Sequence, residues 1–199
     1  AYEDALNRAV DLRDYRYVMD FTGGADLASQ GAVAVDALRL GLSRCVTVGY
    51  PGATAGLGWD SHADNDDTQS QLFEGLFQGL GQLMTLLAAT PGESGGSLAD
   101  ETIVVVLSEM GRTPQLNATA GKDHWPYTSM MLLGSGLTTD RVIGGFDDGY
   151  YGLNIDQASG ELSGSSGNIL TAESVGATLL ALAGPVSYTH LTLPTTYTV

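Results

Sequence analysis

Residues 102–114 read TIVVVLSEMGRTP, and the first half of that stretch decides the class of fold. Thr102 to Leu107 is a continuous apolar run rich in β-branched side chains, the pattern of a strand buried on both faces. Ser108 and Glu109 end it, and Gly111 and Pro114 mark the loop that follows. Met130 to Leu133 (MMLL) reads as a second buried strand, and Arg44 to Gly49 (RCVTVG) as a short strand running into a Gly/Pro loop. Between and around these lie helical patterns. Residues 26–42 place Leu27, Ala34, Leu38 and Leu42 at helical spacing behind Asp26, which can cap the free N–H groups. From Thr68 to Thr90, Leu72, Phe73, Leu76, Phe77, Leu80, Leu83, Met84 and Leu87 follow the i, i+3, i+4 spacing of a long core-facing helix. Pro91 to Ser97 is a Gly/Ser loop, Asp147 to Asn168 an irregular Gly-, Ser- and Tyr-rich excursion, and Thr171 to Ala183 a capped helix. Alternation of α and β segments predicts a layered α/β domain whose sheet, with three or four visible strands, is incomplete.

Composition narrows the function classes. The 199 residues hold 8 Lys plus Arg against 23 Asp plus Glu, a net charge of −15 without a basic cluster, so nothing supports a phosphate-backbone footprint and nucleic acid is excluded as a partner. No apolar run approaches the ~20 residues of a bilayer span, and Gly75, Gly79 and Gly81 interrupt the longest helical candidate, so a soluble chain without a transmembrane segment is expected. Cys45 is the single cysteine, which excludes an intrachain disulfide and a cysteine-based zinc site. The first residues, AYEDALNRAV, carry no visible targeting signal. Val186 to Val199 (VSYTHLTLPTTYTV) has no charged side chain and resembles the translation of a transposase adapter from sequencing libraries. Residues 1–185 are therefore expected to be the native part of one domain, and 186–199, with His190, read-through.

Ligand-type side chains concentrate in three segments: GWDSH at 58–62, SEMGRTP at 108–114 and GKDHWP at 121–126. Loops at the carboxyl ends of strands in an open α/β sheet converge on the ligand crevice, so Asp60, His62 and Glu109 are expected to meet there. Asp123 and His124 precede a strand, and reach the same edge only if it runs antiparallel to 102–107 or if its leading loop folds back. Mixed carboxylates and imidazoles suit a divalent metal: Zn, Mn, Fe or, with carboxylates dominating, Ca. Each segment also has a plainer reading. Asp60-Ser61-His62 can be a surface turn, and Glu109 can pair with Arg112 instead of a metal. Asp123-His124-Trp125 can be a packed aromatic corner, or Asp123 the carboxylate that fixes an imidazole tautomer. Two other matches fail on context. Gly92 to Gly96 (GESGG) fits a nucleophile elbow but stands between a helix and a strand, the reverse of the required order. Asp60, Asp64 and Asp66 alternate as in a calcium loop, yet the sixth place lacks Gly and the twelfth is Gln71.

Taken together and in order, WDSH at 59–62, SEMGRTP at 108–114 and GKDHW at 121–125 resemble the motifs of the family called domain of unknown function 1501. That family is a sulfatase-like branch of the alkaline phosphatase superfamily, with WDTH-like, SEFGRTP and GRDHW motifs and a long helix between the first two. The resemblance spans residues 20–185 and corresponds to the C-terminal half of such proteins. It implies a partial three-layer α/β/α fold, a Ser, Thr or Cys nucleophile in the N-terminal half, and one or two divalent metals stabilising transferring phosphoryl or sulfuryl oxygens. Glu109 falls where the superfamily has a strand-ending Asp ligand and His124 where it has a ligand His, while Asp60 and His62 fall near its middle Asp/His pair. Met110 stands in place of its second ligand His, which speaks against a complete second metal site from these residues alone. The implied function is a metal-dependent hydrolase of small-molecule or polysaccharide phosphate or sulfate esters. Its metal ligands would come from Asp60, His62, Glu109, Asp123 and His124, with Arg112 as the catalytic or ligand-orienting cation. The alternative is an exported sulfatase-like protein that binds without catalysis. A periplasmic or extracellular location is implied by the resemblance alone.

Overall fold

Asp26 begins the first helix as its sequence suggests: its backbone is extended and its carboxylate accepts the N–H of Ser29 at 2.9 Å. In the computed structural model, which describes residues 3, 7, 10, 24, 26–52, 58–138 and 140–183, this helix is α1, Leu27–Arg39. It stops short of Leu42 because Leu40 leaves helical geometry and Gly41 turns the chain with φ +66°. Residues 186–199, including His190, lie outside the described residues.

The second helix, α2, runs Asn65–Ala89 and starts three residues before Thr68. Its first turn is held from outside: Asp64 N–H donates to Thr119 O at 3.3 Å and Asn65 N–H to Ala120 O at 2.9 Å, satisfying groups that a helix start leaves open. Asp66 and Asp67 in that turn suit the positive end of the helix dipole. Gly79 is where α2 meets α1, since a Cβ there would lie 2.7 Å from Leu27 Cδ2. Val35, Leu87 and Leu98 form the buried core, with Leu38, Leu83, Met84 and Val104 packed against it. Phe73 and Phe77 are corrections to the core-facing set, being 46% and 56% exposed. They stack on one another along the outer face of α2, and Phe73 meets the edge of Trp59.

After α2, Pro91 bridges Ser97, and a 3-10 turn at Leu98–Glu101 leads into β1, Ile103–Val106. Ser94 of the GESGG loop is held by the Glu101 carboxylate through both its hydroxyl and its N–H. β1 pairs antiparallel with β4, Met131–Gly134, in the register Ile103 to Gly134 and Val106 to Met131. Between them, β2 (Gly111–Arg112) pairs antiparallel with β3 (His124–Trp125). All four residues of β1 are half-buried rather than covered on both faces, because among the described residues its ladder has only the one partner strand, β4. Arg44–Gly49 is also corrected: it has no ladder partner among the described residues, is largely exposed, and its Gly49 carbonyl takes a side-chain bond from Gln30 at 2.7 Å.

The described residues from 140 to 183 belong to a second compact unit. The Gly/Ser/Tyr-rich stretch there is a series of side-chain-held turns, with Asp147 accepting the N–H groups of Gly149 and Tyr151, both at 2.9 Å. A short ladder joins β5 (Asn154–Ile155) to β6 (Asn168–Ile169). Helix α3, Ala172–Leu182, follows, capped by Thr171. The described residues are thus helices with small antiparallel ladders, α/β in that coarse sense.

Candidate functional site

Arg112 and His124 are cross-strand partners in the β2–β3 ladder. That pairing meets both conditions under which His124 could join the other segments: β4 runs antiparallel to β1, and the loop ahead of it folds back as β3. Trp59 seats the remaining segment. Its indole N–H donates to Tyr50 O at 2.8 Å, and its ring meets Tyr50 and Phe73 edge-on at centroid distances of 6.0 and 5.2 Å. The chain after Trp59 is then laid along residues 119–122: Lys122 N–H donates to Ser61 O at 2.8 Å, and Ala63 bridges Ala120.

These contacts bring His62 to His124, ring centroids 4.9 Å apart and tilted by 50°. Asp60 Oδ1 contacts His62 Nδ1. A carboxylate only accepts, so Nδ1 carries the proton in the neutral ring and Nε2 keeps its lone pair. Arg112 completes the group. Its Nη1 lies 3.3 Å from each ring nitrogen of His62 and donates to Lys122 O at 3.2 Å, while Nη2 lies 3.3 Å from Asp60 Oδ1. The guanidinium side chain is 19% exposed against 73% for Asp60, so the cation is the inner partner and the carboxylate the outer one. The hydrogen bond from His62, with Arg112 adding a smaller effect, holds the Asp60 carboxyl below its ordinary value of 3.8.

Two candidates lie elsewhere. Glu109 is exposed, and its carboxylate accepts the Ser108 hydroxyl at 3.3 Å. The alternative pairing of Glu109 with Arg112 is corrected, since Arg112 takes Asp60 instead and an exposed carboxylate needs no partner to offset desolvation. Asp123 directs its carboxylate to Asn117 Nδ2 at 3.0 Å rather than to the ring of His124. Among the described residues, no three His, Cys, Asp or Glu side chains are arranged to hold a metal ion. Asn117 and Thr119 stand outside the three motifs, yet both bind the His62 carbonyl, at 3.0 and 2.8 Å. Their position between two ligand-rich segments is the only sequence signal they carry.

The described residues thus make an α/β unit in which three sequence motifs meet around a histidine, carboxylate and arginine cluster. Residues 4–158 match the family model described as Protein of unknown function (DUF1501), and the chain belongs to that family. No curated protein and no solved structure matches it. No helix among the described residues is long and apolar enough to cross a membrane.

Proposed function

We propose that the Asp60, His62, Arg112 and His124 cluster is the metal-assisted ester-binding centre of a sulfatase-like hydrolase acting on phosphate or sulfate esters. The observation that carries this reading is the Arg112 to His124 register, which sets the second motif beside the third with His62 of the first against both. The donor set fits such an ion in its chemistry: imidazole nitrogens and a carboxylate are ligands for Zn, Mn or Fe, and carboxylates alone for Ca. No three such side chains are gathered around one point among the described residues, so Asp60, His62 and His124 would supply the donors by closing on the ion as it binds, with Glu109 and Asp123 on the adjoining segments as further candidates. When bound, the ion supplies Lewis-acid stabilisation of the ester oxygens and offsets the repulsion that a net charge of −15 presents to an anionic substrate.

The chain's own residues have separate tasks in this reading. Asp60 fixes the His62 tautomer, which leaves Nε2 as the atom available to a partner. Arg112, anchored by the Lys122 carbonyl, presents a planar fork of N–H donors suited to a tetrahedral oxyanion. The nucleophile is assigned, from the resemblance, to sequence N-terminal to these motifs. The three-layer α/β/α arrangement and export to the periplasm or cell exterior belong to the same proposal.

A second reading, a sulfatase-like protein that binds without catalysis, is favoured by one observation: Arg112 already lies against both ring nitrogens of His62 and against Asp60. Elemental analysis of metal per chain, for the wild type and for His62→Ala with His124→Ala, separates the two. Near-stoichiometric Zn, Mn, Fe or Ca that disappears in the double variant supports the hydrolase and leads to p-nitrophenyl phosphate and sulfate assays. A folded wild-type chain that takes up none of these ions removes the hydrolase reading and leaves the binding one.

A further inference from the structure

We infer that Asn117 is the positioning residue that holds the two imidazoles of the cluster at their separation. Its amide spans both histidine segments. Nδ2 donates to the His62 carbonyl and to Asp123 Oδ1, each at 3.0 Å, so one group grips the backbone of the first histidine and the neighbour of the second. Oδ1 accepts the N–H of Thr119 at 3.0 Å and of Gly121 at 2.9 Å. Two acceptors on one side and two backbone donors on the other fix which end is nitrogen, so the amide cannot flip without losing all four bonds. The backbone joins in, with Asn117 N–H donating to Gly121 O at 2.7 Å and Ala120 N–H to Asn117 O at 3.2 Å. Thr119 Oγ1 has one hydrogen for two acceptors, His62 O at 2.8 Å and Asn117 Oδ1 at 2.9 Å, and so supports the clamp without replacing it.

A half-buried amide that uses both its ends in this way ties the loop from Thr113 to Asp123 to a residue 55 positions earlier. The metal part of the test rests on the reading proposed above; the geometric part does not. The experiment compares the wild-type chain with Asn117→Ala and Asn117→Asp. The aspartate is nearly isosteric and keeps the acceptor for Thr119 and Gly121, but turns an oxygen toward the His62 carbonyl and Asp123. Imidazole-labelled protein is examined for the ring-to-ring NOE between His62 and His124, and zinc ion is titrated calorimetrically.

The NOE is expected in the wild type and lost in both variants while the far-UV spectrum is kept. Zinc affinity is expected to fall about tenfold or more, as for other residues that orient ligands. An unchanged NOE in a folded Asn117→Asp variant overturns the inference, as does its absence from the wild type. A wild type that shows the NOE but binds no zinc counts against the metal reading and leaves the positioning role standing. Should Asn117→Ala fail to fold, Asn117→Asp decides the matter by the same NOE.

Discussion

Gly121 lies against the carbonyl of His62 so closely that a Cβ at this position would overlap the carbonyl carbon and oxygen. The obstacle is backbone, which cannot rotate away. Gly121 is also buried, where the third motif is pressed onto the first. Gly121→Ala is therefore expected to cost about 3 kcal/mol, the upper part of the usual range for overpacking. Urea unfolding measures it, and the His62 to His124 NOE should vanish in the same variant.

Gly79 and Gly81 stand two residues apart in α2 and predict opposite outcomes. Alanine at Gly81 meets nothing within 4 Å and should stabilise the helix by about 0.5–1 kcal/mol. At Gly79 the new Cβ would lie 2.8 Å from Leu27 Cβ, an atom fixed to the neighbouring helix, and the expected overpacking cost of about 1–3 kcal/mol exceeds that gain. Melting temperatures of the two variants should move in opposite directions.

Arg112→Lys separates stability from ligand recognition. The Asp60 end of the ion pair is exposed, so the pair itself contributes little, and losing one bond to the Lys122 carbonyl costs about 1 kcal/mol. A lysine cannot reproduce the planar fork that reaches His62, Asp60 and Lys122 at once. A melt lowered by only about 2–4 °C, with at least tenfold weaker turnover or binding of a phosphate or sulfate ester, is expected. Equal ligand behaviour in the two proteins would remove Arg112 from the site.

Acid sensitivity should come partly from Glu101. Its carboxyl is held below the ordinary value of 4.5, chiefly by the Ser94 hydroxyl, then by the N–H groups of Ser94 and Glu93. A depressed carboxyl contributes stability above its unfolded value and loses it as pH falls through the folded one. The wild-type chain should therefore lose stability below about pH 4.5, and Ser94→Ala should reduce that loss while leaving the profile above pH 6 parallel. Denaturation at a series of pH values measures both.

Features set by neighbours along the chain are legible in the amino-acid sequence. Asp26 caps α1 and Thr171 caps α3 because each partner N–H is three residues away, and the spacing of Leu72, Leu80 and Leu87 buries one side of α2. The three motifs are legible as well, and with them the family. Where the partner is distant, the sequence leaves alternatives. Arg112 has a carboxylate three residues before it in Glu109 and takes one 52 residues before it in Asp60, because the short β2 strand carries the guanidinium toward the loop after Trp59. Phe73 and Phe77 satisfy the helical period yet face outward, since periodicity identifies an apolar stripe but not what covers each part of it. Residues 44–49 have strand composition without a strand to pair with among the described residues, and backbone hydrogen bonding needs a second chain segment that composition does not specify. Local pattern therefore accounts for the helices, the caps of α1 and α3, the candidate ligands and the family, whereas the start of α2 depends on the distant carbonyls of Thr119 and Ala120. Tertiary structure alone decided that His62, Arg112 and His124 meet and that Asn117 holds them, because those contacts depend on closing loops of tens of residues, a long-range term that no local pattern encodes.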